Sequence, residues 1–501
     1  MIQEIKSTSK HTALYALGNI GLKVIGIILI PLYTNADYLS HDDFGALALL
    51  ESFAQLFIGI LSMAMGSSLT RWYWDKSFVK EQKSIFFTSF SFLLLTCLPF
   101  GFALSYFANP LSQLIFGSYD FELLLHLTIA ASAFQILNNQ ALALVKLQSR
   151  SGFHSLLQIL KFTLVLLMIL WGLLYKGLGL EAIWGANLIG EIIILIILSP
   201  YIIRNIKLKF QLGIFIEMLK YSLPLMLAIA SGTILTTADR FMLNSMSNME
   251  NTGVYALGYK IANTLKLVIS TSLTYALVPI RMKKINEPNH KNFFTKSNTY
   301  TAFVFMIGLM AISLFGLELT KLFTASIVYW KANYLIPIIS FALFFGLLKD
   351  NVLQGLIIVK KTKIIGYLVF ITSIINIGIN YALIPVWGIY GAAVATLISQ
   401  FIFFGLTSYY AHKAYTITYE WMKITKLAFL AASMILISVG IQDLDLIYRL
   451  IIKTILFISF PFVLIPLNFY SKIELETLKE IISVWRKPKK IIDNLKRIIS
   501  S

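Results

Sequence analysis

Residues 221–260 read YSLPLMLAIASGTILTTADRFMLNSMSNMENTGVYALGYK, an apolar helix, a short acidic loop and the start of another helix. The closing phrase TGVYAL at 252–257 resembles FGALAL at 44–49, and each follows a short acidic loop without lysine. A repeat built of hydrophobic helices is typical of transporters that hold their substrate between two halves. The stretch therefore predicts a chain made of two related halves.

The composition is that of a membrane protein. Hydrophobic residues make up 57% of the 501 residues and charged residues only 13%, and the mean hydropathy is +0.77. These values exclude a water-soluble domain for most of the chain. The single cysteine, Cys97, lies in an apolar run, which excludes an intramolecular disulfide and a cysteine metal cluster. No metal site and no cofactor are predicted.

We find fourteen apolar segments of the length that crosses a bilayer, about 20 residues each. They are called spans 1–14 and lie near residues 12–34, 44–68, 84–107, 121–144, 155–175, 180–203, 219–244, 253–280, 298–317, 334–358, 364–384, 388–411, 427–442 and 447–470. The sequence therefore predicts an all-α integral membrane fold.

The formal charge of +18 reflects topology rather than nucleic-acid binding. Loops alternate in charge, with 31 lysines and arginines on one side of the membrane and four on the other. By the positive-inside rule, both termini are cytoplasmic. The expected partner of the basic excess is the anionic lipid headgroups of the inner leaflet.

Further matches support the repeat. QALALVK at 140–146 lines up with QGLIIVK at 354–360, and residues 179–191 line up with 388–400, at spacings near 210. Six spans separate each pair, so both halves have the same orientation and a pseudo-twofold axis along the membrane normal is expected. The predicted organisation is two six-helix lobes plus two C-terminal helices: an N-lobe at 1–203, a cytoplasmic interfacial linker at 204–218, a C-lobe at 219–411, spans 13 and 14 at 412–470, and a basic amphipathic cytoplasmic tail at 471–501.

Spans 1 and 2 carry polar side chains at helical spacing. Span 1 has Asn19 and Lys23 one turn apart, and span 2 has Glu51 and Gln55 one turn apart. Lys23 and Glu51 fall at similar depth because the two spans run in opposite directions. They form either a buried pair or a substrate-facing cation beside a carboxylate.

Three ionisable residues in spans 6 and 7 are further candidates. Glu191 lies near the middle of span 6, as either a proton or cation site or a hydrogen-bonded structural carboxyl. Asp239 and Arg240 lie in the outer third of span 7, where Arg240 either reaches the outer headgroups or faces a cavity.

Span 8 is the most polar span. Lys260, Asn263 and Thr274 share one face of a 3.6-residue helical wheel, with Lys266 at its margin. A helix that faces lipid would not carry this row, so the polar face is expected to point inward.

The sequence resembles the Wzx-type polysaccharide flippases of the multidrug/oligosaccharidyl-lipid/polysaccharide exporter superfamily. The resemblance rests on YALGNI at 15–20, KVIG at 23–26, PLYT at 31–34, DDFG at 42–45, ADRF at 238–241 and GVYALGYK at 253–260. It implies a two-lobed, V-shaped bundle in a bacterial cytoplasmic (inner) membrane. The implied activity moves an undecaprenyl-pyrophosphate-linked oligosaccharide from the cytoplasmic to the outer leaflet by alternating access. The product would serve a surface polysaccharide such as lipopolysaccharide O-antigen, capsule or exopolysaccharide, with a polysaccharide polymerase or other assembly protein as a further partner.

This task needs a polar, cationic cavity for the headgroup. The candidates for its charge are Lys23, Lys260, Lys266 and Arg240; those for hydrogen bonds to sugars are Asn19, Gln55, Asn263 and Thr274; those for ion coupling are Glu51, Glu191 and Asp239. The related lipid II flippases carry an arginine at the position of Lys23. Lysine keeps the charge but lacks the bidentate fork for pyrophosphate.

Two other functions fit a many-helix membrane protein. A cation-coupled multidrug antiporter of the same superfamily needs an acidic cavity, whereas lysines outnumber acids in the polar spans here. A membrane polysaccharide polymerase or ligase has a large outer loop with catalytic arginine or histidine, whereas the outer loops here are short. With no Ser/His/Asp spacing and no Gly-rich phosphate loop, the chain is not expected to be an enzyme.

Overall fold

The computed structural model describes residue 26 and residues 28–285, 287–472 and 474–476. These residues form α-helices joined by short loops, with 3₁₀ segments at Lys76–Glu81 and Ile327–Tyr334 and a π-helical turn at Lys266–Ser270. The α-helices are α1 (Ile30–Tyr33), α2 (His41–Leu61), α3 (Met65–Tyr73), α4 (Gln82–Tyr106), α5 (Ala108–Phe116), α6 (Glu122–Leu147), α7 (Ser151–Leu174), α8 (Leu180–Arg204), α9 (Leu212–Met246), α10 (Met249–Leu265), α11 (Thr271–Lys284), α12 (His290–Leu314), α13 (Gly316–Phe323), α14 (Leu335–Ile358), α15 (Thr362–Ala414), α16 (Trp421–Gly440) and α17 (Leu446–Val463).

Ten helices of the described residues are long and apolar enough to cross a membrane. Helix α6 is outside this set although it has 26 residues, because Gln135, Asn138, Asn139 and Gln140 lower its hydropathy. Span 8 is divided by the π-helical turn, and spans 11 and 12 both lie in α15, which is broken between them at Gly388. The all-α membrane class is confirmed. The count of fourteen stays a prediction, and most of span 1 lies outside the described residues.

Equivalent helices of the two halves begin with equivalent caps. The Ser40 side chain accepts a hydrogen bond from the Asp43 amide at the start of α2, and Asn248 accepts one from the Asn251 amide at the start of α10. Such side chains satisfy amides that have no partner inside the helix. Both cap positions are 208 residues apart, the spacing of FGALAL and TGVYAL.

Two glycines with the same unusual backbone also mark the repeat. Gly179 has φ +56° and ψ −134° at the start of α8, and Gly388 has φ +54° and ψ −127° at the break in α15. A side chain would be strained in this region, which glycine tolerates. The predicted match of 179–191 with 388–400 therefore starts from one shared conformation.

The helix ends shift the match between QALALVK and QGLIIVK by about one helical turn. Ser149, two residues after α6, has φ +56°, and Lys360, two residues after α14, has φ +58°. Both helix ends have the same pattern of closing backbone hydrogen bonds. Positions 149 and 360 are 211 residues apart, whereas the matched letters QALALVK and QGLIIVK are 214 apart. The local structure thus repeats with the sequence, and the pseudo-twofold axis stays a prediction.

The chain divides into two compact units. The first contains the described residues up to His290 together with Gly316–Ile417, and the second contains Lys291–Phe315 and the described residues from Thr418 onward. Helix α12 belongs to the second unit with α16 and α17, although its span falls in the predicted C-lobe. The predicted lobe, linker and tail boundaries stay a prediction.

Candidate functional site

The two halves meet where α2 and α10 begin. A Cβ atom on Gly45 would lie 1.9 Å from the Met249 carbonyl oxygen, and one on Gly253 would lie 3.1 Å from the Gly45 nitrogen. The helix starts therefore approach more closely than side chains allow. This contact, called the α2–α10 crossing, joins the two repeat-matched glycines and lies beside the loop predicted to be outside.

A second layer of contacts surrounds this crossing. His41 Nε2 lies 2.9 Å from Ser326 Oγ, and the Ala325 amide donates to Thr34 Oγ1 at 3.2 Å. The rings of Phe44 and Tyr329 meet edge to face, with centroids 5.4 Å apart. Because each contact joins residues before 50 to residues after 320, the two halves are closed against each other here.

One predicted cation and one predicted carboxylate meet just inside the α2–α10 crossing. Lys260 Nζ donates to Glu51 Oε1 at 2.8 Å, and the same ammonium lies 5.6 Å from the centre of the Phe44 ring. The side chain of Lys260 is 19% exposed and that of Glu51 is 38% exposed. This pair therefore joins the two halves and remains accessible. Asn19 and Lys23 lie outside the described residues.

Asp239 is held inside the second half. Its side chain is 1% exposed and accepts hydrogen bonds from the Tyr255 hydroxyl and, at 2.9 Å, from the Arg240 amide. The Tyr255 hydroxyl also lies 3.3 Å from Thr396 Oγ1. A carboxylate in this position is satisfied by neighbours on its own helix and on α10, as a buried charge requires.

Arg240 is enclosed by the same tyrosines. Its guanidinium lies 4.5 Å from the centre of the Tyr259 ring and 5.9 Å from that of Tyr255, and it donates to the Thr236 carbonyl at 2.6 Å. Its Nη1 is 3.4 Å from the Asp239 carboxylate. The structure places Arg240 among aromatic faces that attract cations, with 11% of its side chain exposed.

The remaining predicted residues are spread along α2, α10 and α11. Gln55 is exposed and follows Glu51 by one turn, while Asn263 is half-buried near Lys260 on α10. Lys266 and Thr274 are exposed. Lys266 opens the π-helical turn, which adds a residue per turn and rotates the helix beyond it. Thr274 therefore does not continue the face that an uninterrupted helical wheel gives it.

Sequence reasoning missed the surroundings of Glu191. The ammonium of Lys161 on α7 forms a close ion pair with the Glu191 carboxylate on α8. Asn138 on α6 donates to Glu191 Oε2 at 2.7 Å and to the Glu191 carbonyl at 2.8 Å. The lysine and glutamate side chains are 14% and 5% exposed. The unusual cluster of amides on span 4 was the sequence signal for this site.

A third lysine–glutamate pair lies in the second unit, at the loop predicted to be cytoplasmic. Glu420 Oε1 accepts from Lys296 Nζ at 2.8 Å and Oε2 from Thr299 Oγ1 at 2.8 Å, and Lys423 lies 3.2 Å away. Partial burial raises the pKa of Glu420, but these hydrogen bonds and charges outweigh it, so its pKa lies below the ordinary value.

Solved structures with this architecture are membrane transporters. The lipid II flippase MurJ in an inward closed conformation is 17% identical, with a TM-score of 0.70 over 90% of this chain and 98% of MurJ. The MATE multidrug transporter DinF-BH is 16% identical, with a TM-score of 0.62 over 81% of this chain and 95% of DinF-BH. An inward-facing MATE family transporter of the MOP superfamily is 14% identical, with a TM-score of 0.62 over 80% and 94%. The chain is thus a multi-pass membrane protein with the fold of these proteins.

The family follows from the sequence match. Residues 9–284, more than half of the chain, match the family described as Polysaccharide biosynthesis protein. The chain belongs to this family, and the family predicted from the sequence is confirmed. A search of curated proteins finds none with significant similarity. The roles assigned to individual site residues stay predictions.

Proposed function

We propose that the chain is a flippase that moves an undecaprenyl-pyrophosphate-linked oligosaccharide from the cytoplasmic to the outer leaflet of a bacterial inner membrane, with both termini cytoplasmic. Its family supports a task in surface polysaccharide assembly, for which O-antigen, capsule and exopolysaccharide are the candidate products and a polymerase the candidate partner. The observation that carries the proposal is the Lys260–Glu51 pair, accessible and shared between the halves.

The pair supplies a switchable anion site. Without substrate, the Lys260 ammonium donates a hydrogen bond to the Glu51 carboxylate at 2.8 Å. A pyrophosphate carries more charge and more acceptor oxygens than a carboxylate, so it competes for the ammonium. When the pyrophosphate binds Lys260, the hydrogen bond from Lys260 on α10 to Glu51 on α2 is lost. Binding of the headgroup is thereby linked to separation of the halves, which alternating access requires.

The other predicted residues have subordinate roles in this proposal. Lys23 and Lys266 add positive charge along the path of the lipid headgroup through the protein. Gln55, Asn263, Asn19 and Thr274 offer hydrogen bonds to its sugars. Glu51, once released from Lys260, is free to bind a proton. Arg240 and Asp239 are enclosed by tyrosines, so we assign them to the inner support of α9 and α10 while the crossing is closed.

The test measures movement of a fluorescent undecaprenyl-pyrophosphate oligosaccharide in proteoliposomes. We expect Lys260→Ala to lower the flipping rate by about tenfold or more, since a hydrogen bond to a charged group is worth about 1.5–3 kcal/mol. Lys260→Arg should retain most of the rate. Lys284→Ala is the matched control, because Lys284 also pairs with a glutamate, Glu287, but at an exposed loop.

Two results would contradict the proposal. Wild type that leaves the lipid in its leaflet but exchanges a cationic dye for protons or Na⁺ would favour the multidrug antiporter. Equal rates for wild type and Lys260→Ala would remove the headgroup role of Lys260.

A further inference from the structure

A small polar cavity lies inside the first half, between α6, α7 and α8. Its volume is about 50 Å³, and its lining combines four amides, among them Asn138, Asn139 and Gln158, with the Lys161–Glu191 ion pair and three aliphatic side chains. A water needs about 10–15 Å³ of such space, so the cavity has room for a few waters. Lys161 is ten residues from the start of α7, about 15 Å into the helix.

One buried acceptor in this cavity lacks a hydrogen-bond partner within the part of the chain that the structure describes. Asn138 is 2% exposed, and its Oδ1 atom has no hydrogen-bond partner among the described residues, although its Nδ2 donates to Glu191. An unpaired buried acceptor destabilises the fold. The cavity therefore calls for a small donor such as water. Asn139 is exposed and Gln158 half-buried, so polar side chains extend from the cavity to the surface of the helices.

The resident ammonium limits which ions the cavity accepts. Lys161 already contacts Glu191, so a metal cation would have to share the carboxylate with the ammonium and be repelled by it. A proton that binds the carboxylate itself adds no separate ion. Among the lining residues, Lys161 on α7 and Glu191 on α8 carry charge, and α6 contributes three amides and an uncharged leucine. His154 on α7 and Lys146 on α6 are not lining residues.

We propose that Glu191, held by Lys161 and Asn138 in this cavity, is a proton-binding site that couples the proposed lipid movement to a proton gradient. A hydronium in the cavity transfers its proton to a Glu191 oxygen and becomes water, while Lys161 keeps its own proton. The ion pair, neutral before, then carries one positive charge. Release reverses the step. The coupling rests on the proposed flippase function, whereas the proton site does not.

The proton site is tested without transport, by infrared difference spectra of the protein in nanodiscs as the buffer is changed from pH 8 to pH 5. Wild type should gain a protonated-carboxyl band that Glu191→Gln lacks. Glu181→Gln is the matched control, because Glu181 is exposed at the start of the same helix; it should keep the band. The double variant Lys161→Gln/Glu191→Gln leaves no buried lone charge and replaces Glu191→Gln where that variant does not fold. Wild-type spectra identical to those of the variants that lack Glu191 would overturn the site.

The coupling is tested with the fluorescent lipid and an imposed pH gradient. For one proton per lipid, each pH unit should shift the lipid distribution between leaflets by up to about tenfold in wild type, and the double variant should show no shift. A double variant that still responds would overturn the coupling. Wild type that moves no lipid, yet has the Glu191 band, would refute the flippase function and leave the proton site standing.

Discussion

The pairs Lys260–Glu51 and Lys161–Glu191 have the same chemistry in different surroundings. The first joins helices of the two halves, with side chains 19% and 38% exposed; the second joins neighbouring helices of one half, with side chains 14% and 5% exposed. In the proposed function, the accessible pair between the halves exchanges its carboxylate for a larger anion. The buried pair within one half has room beside it only for a few waters or a proton. Location, rather than residue type, separates the two roles.

The largest expected difference is in stability. Lys161→Met should lower the free energy of unfolding by about 3–5 kcal/mol, because it leaves the buried Glu191 carboxylate unpaired. Lys260→Met should lower it by less than about 1 kcal/mol, because Glu51 is exposed enough to be solvated. Methionine keeps most of the lysine stem in both variants. Unfolding in detergent, followed by circular dichroism, measures the free energy of unfolding of both variants. Equal decreases for Lys161→Met and Lys260→Met would contradict the distinction between the two pairs.

The next difference concerns the α2–α10 crossing that places Lys260 beside Glu51. Gly45→Ala should cost about 1–3 kcal/mol of unfolding free energy, since the added methyl group meets the Met249 backbone at 1.9 Å. Gly185→Ala on α8 is the control: nothing lies within 4 Å of its Cβ position, so alanine should be neutral or stabilising by up to about 1 kcal/mol. The measurement is the same unfolding assay. A Gly45→Ala protein as stable as Gly185→Ala would show that the crossing opens without cost.

The local features of the two pairs could be predicted from the sequence. Apolar runs predicted the helices, and the repeated phrases predicted helix starts that carry equivalent caps at Ser40 and Asn248. Span composition also led to Lys260 and Glu51 as site candidates. These features depend on residues within a few positions of one another, which a single sequence displays directly.

Which lysine pairs with which glutamate could not be predicted from the sequence. Lys260 and Glu51 are 209 residues apart, and Lys161 with Glu191 are 30 apart on different helices, so no periodicity links them. The tyrosines that enclose Arg240 lie in GVYALGYK at 253–260, which the sequence analysis used only for the family resemblance. The π-helical turn at Lys266–Ser270 has no sequence signature, and it changed the face assigned to Thr274.

The smallest effect comes from the third lysine–glutamate pair, Lys296–Glu420, with side chains 43% and 23% exposed. The folded-state pKa of Glu420 lies below its ordinary value of 4.5. Its contribution to stability is therefore present above about pH 4.5 and is lost as the pH falls through the lowered folded pKa. Exposure limits that contribution to less than about 1 kcal/mol. Melting temperatures of wild type and Glu420→Gln should differ slightly at pH 7 and converge near pH 3, while Glu217→Gln, an exposed carboxyl-to-amide change on α9, serves as the control. A difference in melting temperature between wild type and Glu420→Gln that widens on acidification would contradict the lowered pKa of Glu420.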